Sequence, residues 1–217
     1  MGKTTDVREA VEAELKYDPL VDDADVHVVN MGGDVALNGT VPSYPQYLAA
    51  AAGAQRVAGV KNVFNHLQVV LPEAGYRDDA VLTTAANNAL AQDVTVPAGV
   101  EAAASDGNLT LSGTVEFGVE RAAAERAVAG LAGVRNVRDQ IEISYPDDPA
   151  EVDLHVQEAL ARSALVAGDS DVKVATDGGI ITLTGHVRTW AEHDAVIGAA
   201  WMARGVIDVD DDLQITG

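Results

Sequence analysis

The 217-residue sequence has no cysteine. Disulfide staples, thiolate nucleophiles and cysteine-ligated metals are therefore excluded. Aromatic residues are scarce, at 4% of the chain, so any core must be built from alanine, valine and leucine and is thin. No run approaches the ~18 consecutive apolar residues of a membrane-spanning helix. The opening Met1-Gly-Lys-Thr-Thr-Asp6 lacks the apolar stretch of a secretory signal, and Asp6 spoils a myristoylation pattern. The sequence as it stands is expected to be cytoplasmic, or periplasmic if a leader has been removed. Positive charge is also in short supply: 14 bases against 34 acids give a net charge of −20, and the lysines are only Lys3, Lys16, Lys61 and Lys173. Such a field repels nucleic-acid phosphates and anionic lipid headgroups while favouring cations, basic partners and solubility. The excess is uneven, because the segment from residue 147 onward holds 14 acids and 4 bases.

What the chain does have is one pattern stated three times. Asp34-Val-Ala-Leu-Asn-Gly-Thr-Val41, Asn108-Leu-Thr-Leu-Ser-Gly-Thr-Val115 and Ile180-Ile-Thr-Leu-Thr-Gly-His-Val187 are alternating apolar and polar runs. Each leads through an alanine-rich stretch to a second signature: Ala58-Gly-Val-Lys-Asn-Val63, Ala132-Gly-Val-Arg-Asn-Val137 and Arg204-Gly-Val-Ile-Asp-Val209. The marker glycines pair as Gly39 and Gly59, Gly113 and Gly133, Gly185 and Gly205, always 20 residues apart, with repeat periods of 74 and 72. A unit of that length can carry its own core, unlike a short solenoid repeat.

Each repeat reads as helix, strand, strand, helix, strand. Val7, Val11 and Leu15 share a helical face, as do Leu82, Ala86 and Leu90, and Val152, Val156 and Leu160. Asp148, Pro149 and Glu151 mark the start of that helix in the third repeat. Gly32-Gly33, Asp106-Gly107 and Asp177-Gly178-Gly179 are hairpin turns between two alternating strands. A second helix is predicted over 44–57, 117–131 and 189–203. Ser43-x-x-Gln46 and Thr189-x-x-Glu192 cap it in two repeats, whereas Phe117 is a poor cap in the other. A last strand alternates through Val63, Leu67 and Val69 and its equivalents. The expectation is an α+β fold of three tandem αββαβ units over 5–72, 76–145 and 148–216. Each unit is a three-stranded mixed sheet with two helices on one face.

The Leu-polar-Gly-x-Val pattern, followed 20 residues on by Gly-Val-x-x-Val and an alternating strand, resembles the BON domain, named for bacterial osmotic-shock and nodulation proteins. Nearly the whole chain carries the resemblance, as three copies. It implies an αββαβ fold and no enzymatic activity. Members of that family include periplasmic osmotic-stress proteins, outer-membrane and secretin-associated modules, and a cytoplasmic potassium-binding protein that joins the domain to LysM. Phospholipid or envelope interaction has been proposed for them in general. This sequence shows neither LysM nor a signal sequence.

Candidate sites are few. The six marker glycines are read as backbone-geometry positions, Gly39, Gly113 and Gly185 ending a strand before a helix and Gly59, Gly133 and Gly205 ending that helix. His27, His66, His155, His186 and His193 show no metal-ligand spacing, and no catalytic triad, P-loop or dinucleotide fingerprint occurs. Asp208, Asp210, Asp211 and Asp212 are weak cation candidates. Asp208, Asp210 and Asp212 should line one side of a strand, where they block strand addition. Asp211 falls on the inward phase with Asn65 and Asp139, as a local backbone cap. On the second helices, the stripe shared by all repeats (Ala50, Gly53, Val57; Ala124, Ala127, Leu131; Val196, Ala199, Ala203) should face the sheet. The opposite face carries Trp190, Ile197 and Trp201 in the third repeat, the tryptophans being about 20° apart in phase. That apolar stripe is the predicted interaction surface, against another repeat, a second copy, a partner protein, or a membrane or ligand.

The reading is a non-enzymatic stress- or osmotic-response-type binding protein without cofactor. It would touch envelope phospholipid, protein or a small ligand, as a monomer or homodimer, and would bind no nucleic acid. A cytoplasmic K+-binding or sensing protein is the alternative, and a chaperone-like solubiliser the third.

Overall fold

A computed structural model describes residues 6–144, 154–156, 158–159, 171–177 and 179–216. The predicted start of the third repeat's first helix, at Asp148, Pro149 and Glu151, lies outside these residues, as do Val152, Leu160 and Gly178. The chain groups into two compact units. One takes in residues up to Ala86 with Ala103–Leu109 and Ala129–Arg138. The other takes in Asn87–Ala102, Thr110–Val128 and Asp139 onward.

The first unit contains the whole first repeat: α1 (Val7–Tyr17), β1 (Val26–Met31), β2 (Asp34–Val41), α2 (Tyr44–Gln55) and β3 (Asn62–Val69). Asp6 caps α1 by accepting from the Arg8 amide at 3.0 Å. The sheet order is β1-β2-β3, with β1 antiparallel and β3 parallel to β2. Parallel pairing follows from the sequence because a helix, not a hairpin, separates β2 from β3. Val35, Leu37 and Val41 alternate inward from β2 and bury against Val11 and Leu15 of α1, Ala50 and Ala54 of α2, and Val28 and Leu67 of the flanking strands. The small alanines let α2 lie close to the sheet, which compensates for the lack of aromatics.

The second repeat supplies α3 (Asp79–Gln92), β4 (Glu101–Ser105), β5 (Asn108–Val115), α4 (Gly118–Ala129) and β6 (Asn136–Ile143), its sheet ordered β4-β5-β6. In the third repeat, residues 154–156 and 158–159 are helical. They precede β7 (Lys173–Asp177), β8 (Ile180–Val187), α5 (Trp190–Trp201) and β9 (Asp208–Ile215). Its sheet repeats the order and the antiparallel-then-parallel pairing of the first. Its core gathers Val156, Ala159, Ile181, Leu183, Val187, Val196 and Ala200. The α+β class and its three mixed sheets are therefore those read from the repeats.

Several details differ from the sequence reading. Gly39, Gly113 and Gly185 do not end their strands but lie within β2, β5 and β8. Their φ values are +118°, +139° and +123°, and a Cβ on them would run into the carbonyl oxygen of Asp25, Gly99 and Asp171 respectively. The glycine is required because the chain leading into the neighbouring strand passes over it. The second helices end at Gln55, Ala129 and Trp201, two residues earlier than the composition suggests. Their buried stripe also includes Ala54, Val128 and Ala200, because an i, i+4 row from Ala50, Ala124 and Val196 lies along the sheet. The weak cap at Phe117 is mended from inside the helix, where the Glu120 carboxylate accepts from the amides of Glu116 (2.9 Å) and Phe117 (3.1 Å). In the first repeat the capping box is one-sided. Ser43 accepts from the Gln46 amide at 3.4 Å, but Gln46 turns away to accept from the Asp22 amide at 2.8 Å.

Candidate functional site

Because the glycine spacing is constant, equivalent positions of the three repeats can be compared directly. One pair joins the second helix to the last strand. In the first repeat Asn65 accepts from the Leu67 amide (3.2 Å) and donates to the Tyr47 carbonyl (2.8 Å). In the second, Asp139 accepts from the Ile141 amide (2.8 Å) and pairs with the Arg121 guanidinium (3.1 Å). In the third, Asp211 accepts from the Leu213 amide (3.1 Å) and meets His193 Nε2 at 2.6 Å, while His193 Nδ1 lies 3.2 Å from Asp194. The strand residue does the same backbone work each time. Its helix partner changes from a carbonyl to a guanidinium to an imidazole. Asp211 is thereby turned away from Asp208, Asp210 and Asp212, which are exposed in register with Ile180, Thr182 and Thr184 on the opposite face of the sheet. Among the described residues, no three His, Asp or Glu side chains come together as metal ligands.

The predicted stripe on α5 is divided by its surroundings. Thr189 caps the helix by accepting from the Glu192 amide (3.1 Å), and Glu192 reaches past the cap residue to accept from the Arg188 amide (2.9 Å) and guanidinium (3.2 Å). These bonds, the amide first, hold the Glu192 carboxyl below the ordinary carboxylate range. Trp190 meets His193 edge to face at 5.0 Å, and its indole N–H is buried without a partner. Ile197 and Trp201 lean on the third core. Trp201 also rests against Gly118 of α4, where a Cβ would collide with the indole, and lies under the Arg121 guanidinium, 4.6 Å from the ring centre. Arg204 and Glu116 pair beside it at 3.3 Å. Within this unit, then, Trp201 is covered by the helix of the preceding repeat.

Sequence reasoning passed over a different surface, the face of the first sheet opposite its helices. The register sets Val29, Ala36 and Phe64 in one row and His27, Asn38 and His66 in the next. Met31 is 73% exposed, Phe64 50% and Val29 46%. The signal was present: Phe64 occupies the outward phase where the other repeats have Arg138 and Asp210, and Val28-Val29 breaks the alternation. The remaining histidines are unremarkable as a set. His186 Nδ1 pairs with Asp171 at 2.8 Å, and His155 Nδ1 is buried without a partner.

Residues 3–70, 78–145 and 148–217 each match the BON domain. No curated protein matches the chain. Among solved structures, the chain is similar to the C-terminal domain of CdsD, described as the structural protein of the type III secretion system of Chlamydia trachomatis. That match has 16% identity over 100% of both chains and a TM-score of 0.27. A second CdsD structure from Chlamydia trachomatis matches at 16% identity over 98% of this chain and 93% of that one, with a TM-score of 0.26.

Proposed function

The chain belongs to the BON domain family, and from that membership we propose that it is a non-enzymatic binding protein of the stress-response type, acting through surface contacts with envelope lipid or protein. Family roles are osmotic-stress and envelope-associated. The observation that carries the reading to this chain is the apolar row of Val29, Ala36 and Phe64, with exposed Met31 next to Val29 along β1, on the open face of the first sheet. It is a contiguous apolar surface on an otherwise acidic protein, the usual mark of a contact site. The second repeat presents small or polar residues at the same positions, with Ala103, Ser105 and Arg138 for Val29, Met31 and Phe64. The frame is thus kept while the presented chemistry changes from repeat to repeat.

Phe64→Arg gives the first repeat the residue of the second at that position. It is expected to lower flotation with zwitterionic phosphatidylethanolamine–phosphatidylcholine vesicles, which the added cation does not attract, or capture of envelope protein, at least tenfold. The melting temperature should stay within about 2 °C, because an exposed strand residue carries little of the core energy. Unchanged binding to both surfaces would reject this face as the contact.

A further inference from the structure

The edge of the first sheet differs from that of the second in a way that points to a ligand. In the second repeat, side chains of the first helix close the edge strand. Asn87 donates to the Ala102 carbonyl (2.7 Å) and accepts from the Ala102 amide (3.0 Å). Thr83 accepts from the Ala104 amide (3.0 Å). The matching backbone in the first repeat is that of Val28 and Asn30, 74 residues earlier. The matching helix positions, set by aligning the buried Val11 and Leu15 with Ala86 and Leu90, are Glu12 for Asn87 and Arg8 for Thr83. These two bond each other at 3.3 Å instead. The Thr40 amide donates to the Asp25 carbonyl at 3.3 Å, so Asp25, His27 and Val29 turn their backbone groups toward β2. Val28 and Asn30 therefore turn theirs outward, while the Val26 amide is taken by the Asp23 carbonyl at 3.1 Å. Among the described residues, no α1 side chain bonds the Val28 and Asn30 backbone groups. Beside them lies a groove of about 470 Å³ whose lining includes Arg8, Glu12, Lys16, Asp23, Val26 and Val28.

We infer that this groove takes an extended peptide segment, which adds as a fourth strand along β1 and places an acidic-x-basic-x-acidic series against α1. The chemistry follows from the spacing. Arg8, Glu12 and Lys16 stand one above another on α1 at about 6 Å intervals. Alternate side chains of an extended strand repeat every ~6.7 Å. A plus-minus-plus ladder on the helix thus matches a minus-plus-minus ladder on the strand, while main-chain bonds to Val28 and Asn30 hold the segment in register. A second copy of this chain fits less well. Two β1 edges paired antiparallel would set Glu12 against Glu12 and Arg8 against Lys16. The inference rests on the reading of the chain as a contact protein, but on a different surface from Phe64.

The test uses the full chain and the blocked peptide Thr-Glu-Val-Lys-Val-Glu-Thr, beside its charge-reversed form Thr-Lys-Val-Glu-Val-Lys-Thr and an N-methylated form. The first peptide should bind at least tenfold tighter than either control. Arg8→Thr with Glu12→Asn, which installs the closing pair of the second repeat, should weaken binding at least tenfold without lowering the melting temperature. Lys16→Glu gives an independent loss should the double variant fold poorly. Equal binding of the charge patterns, or binding indifferent to these substitutions, overturns the inference. So does loss of peptide binding in Phe64→Arg alone, which would place the peptide on the open face. Concentration-dependent dimerisation abolished by the double variant overturns it in favour of β1 self-pairing. Peptide binding that persists while vesicle and envelope-protein binding are absent overturns the function proposed above and leaves the groove standing.

Discussion

Gly39→Ala is expected to remove most of the stability of the first repeat, at a cost of about 3 kcal/mol or more. Two terms add. The φ of +118° is strained for any residue with a Cβ, worth roughly 1–3 kcal/mol. The new methyl would also overlap the Asp25 carbonyl oxygen, a backbone atom that cannot swing aside. Relieving the overlap means parting the start of β1 from β2 and losing the Thr40–Asp25 bond, about 1 kcal/mol more. A unit of this size has a total stability on the order of 3–10 kcal/mol, so the loss is large. Gly32→Ala is the control: its φ is +69° and nothing lies within 4 Å of the added Cβ, so only the conformational cost of about 1 kcal/mol applies. Hydrogen exchange of the Leu37 and Val41 amides, with denaturant unfolding, reads both. Equal losses from the two substitutions would show that the carbonyl contact does not matter.

These same glycines show what the sequence reveals and where it stops. Their recurrence after 74 and then 72 residues gives the three-unit αββαβ order, because a repeated period reports a recurring backbone path whatever the side chains. Alternation in β2 and the i, i+4 spacing of Val11 and Leu15 identify the core residues that the structure buries. Periodicity reports which side of its own element a residue occupies, and this is why Asp211 could be separated from Asp208, Asp210 and Asp212. It does not report what stands opposite. The Glu120 cap was hidden because the sequence rule looks for a serine or threonine ahead of the helix, whereas the glutamate reaches back from inside it. The pairing of Asn65, Asp139 and Asp211 with Tyr47, Arg121 and His193 joins residues 18 apart on different elements. The closed and open edge strands depend on whether a helix side chain at one position reaches a backbone group about 15–21 residues later, which no one-dimensional pattern encodes. The Phe64 surface is different in kind. It was legible as an apolar residue on a polar phase, and it was outweighed by the two tryptophans.

One of those tryptophans leads to a prediction of changed sign. Trp201→Ala should cost about 3 kcal/mol. The indole is only half-buried, so its removal falls at the lower end of the 3–5 kcal/mol typical of large aromatic truncations, with the cation–π contact from Arg121 part of the loss. The informative partner is Gly118, the first residue of α4, which has room for hydrogen alone because the Trp201 ring occupies the space of a Cβ. With Trp201 present, Gly118→Ala overpacks the contact and should destabilise by roughly 1–3 kcal/mol. With Trp201 already replaced by alanine, the same change only improves a helix-forming position and should stabilise by up to about 1 kcal/mol. The four proteins form a cycle with a coupling energy of about 2 kcal/mol or more, measurable by denaturant unfolding and well above the few tenths expected of independent positions. Additive effects would mean that α4 and α5 do not meet through this ring in solution, leaving Trp201 available to an outside partner. A sign change would instead fix Trp201 as the joint between two repeats, and the search for external contacts would then pass to the first sheet.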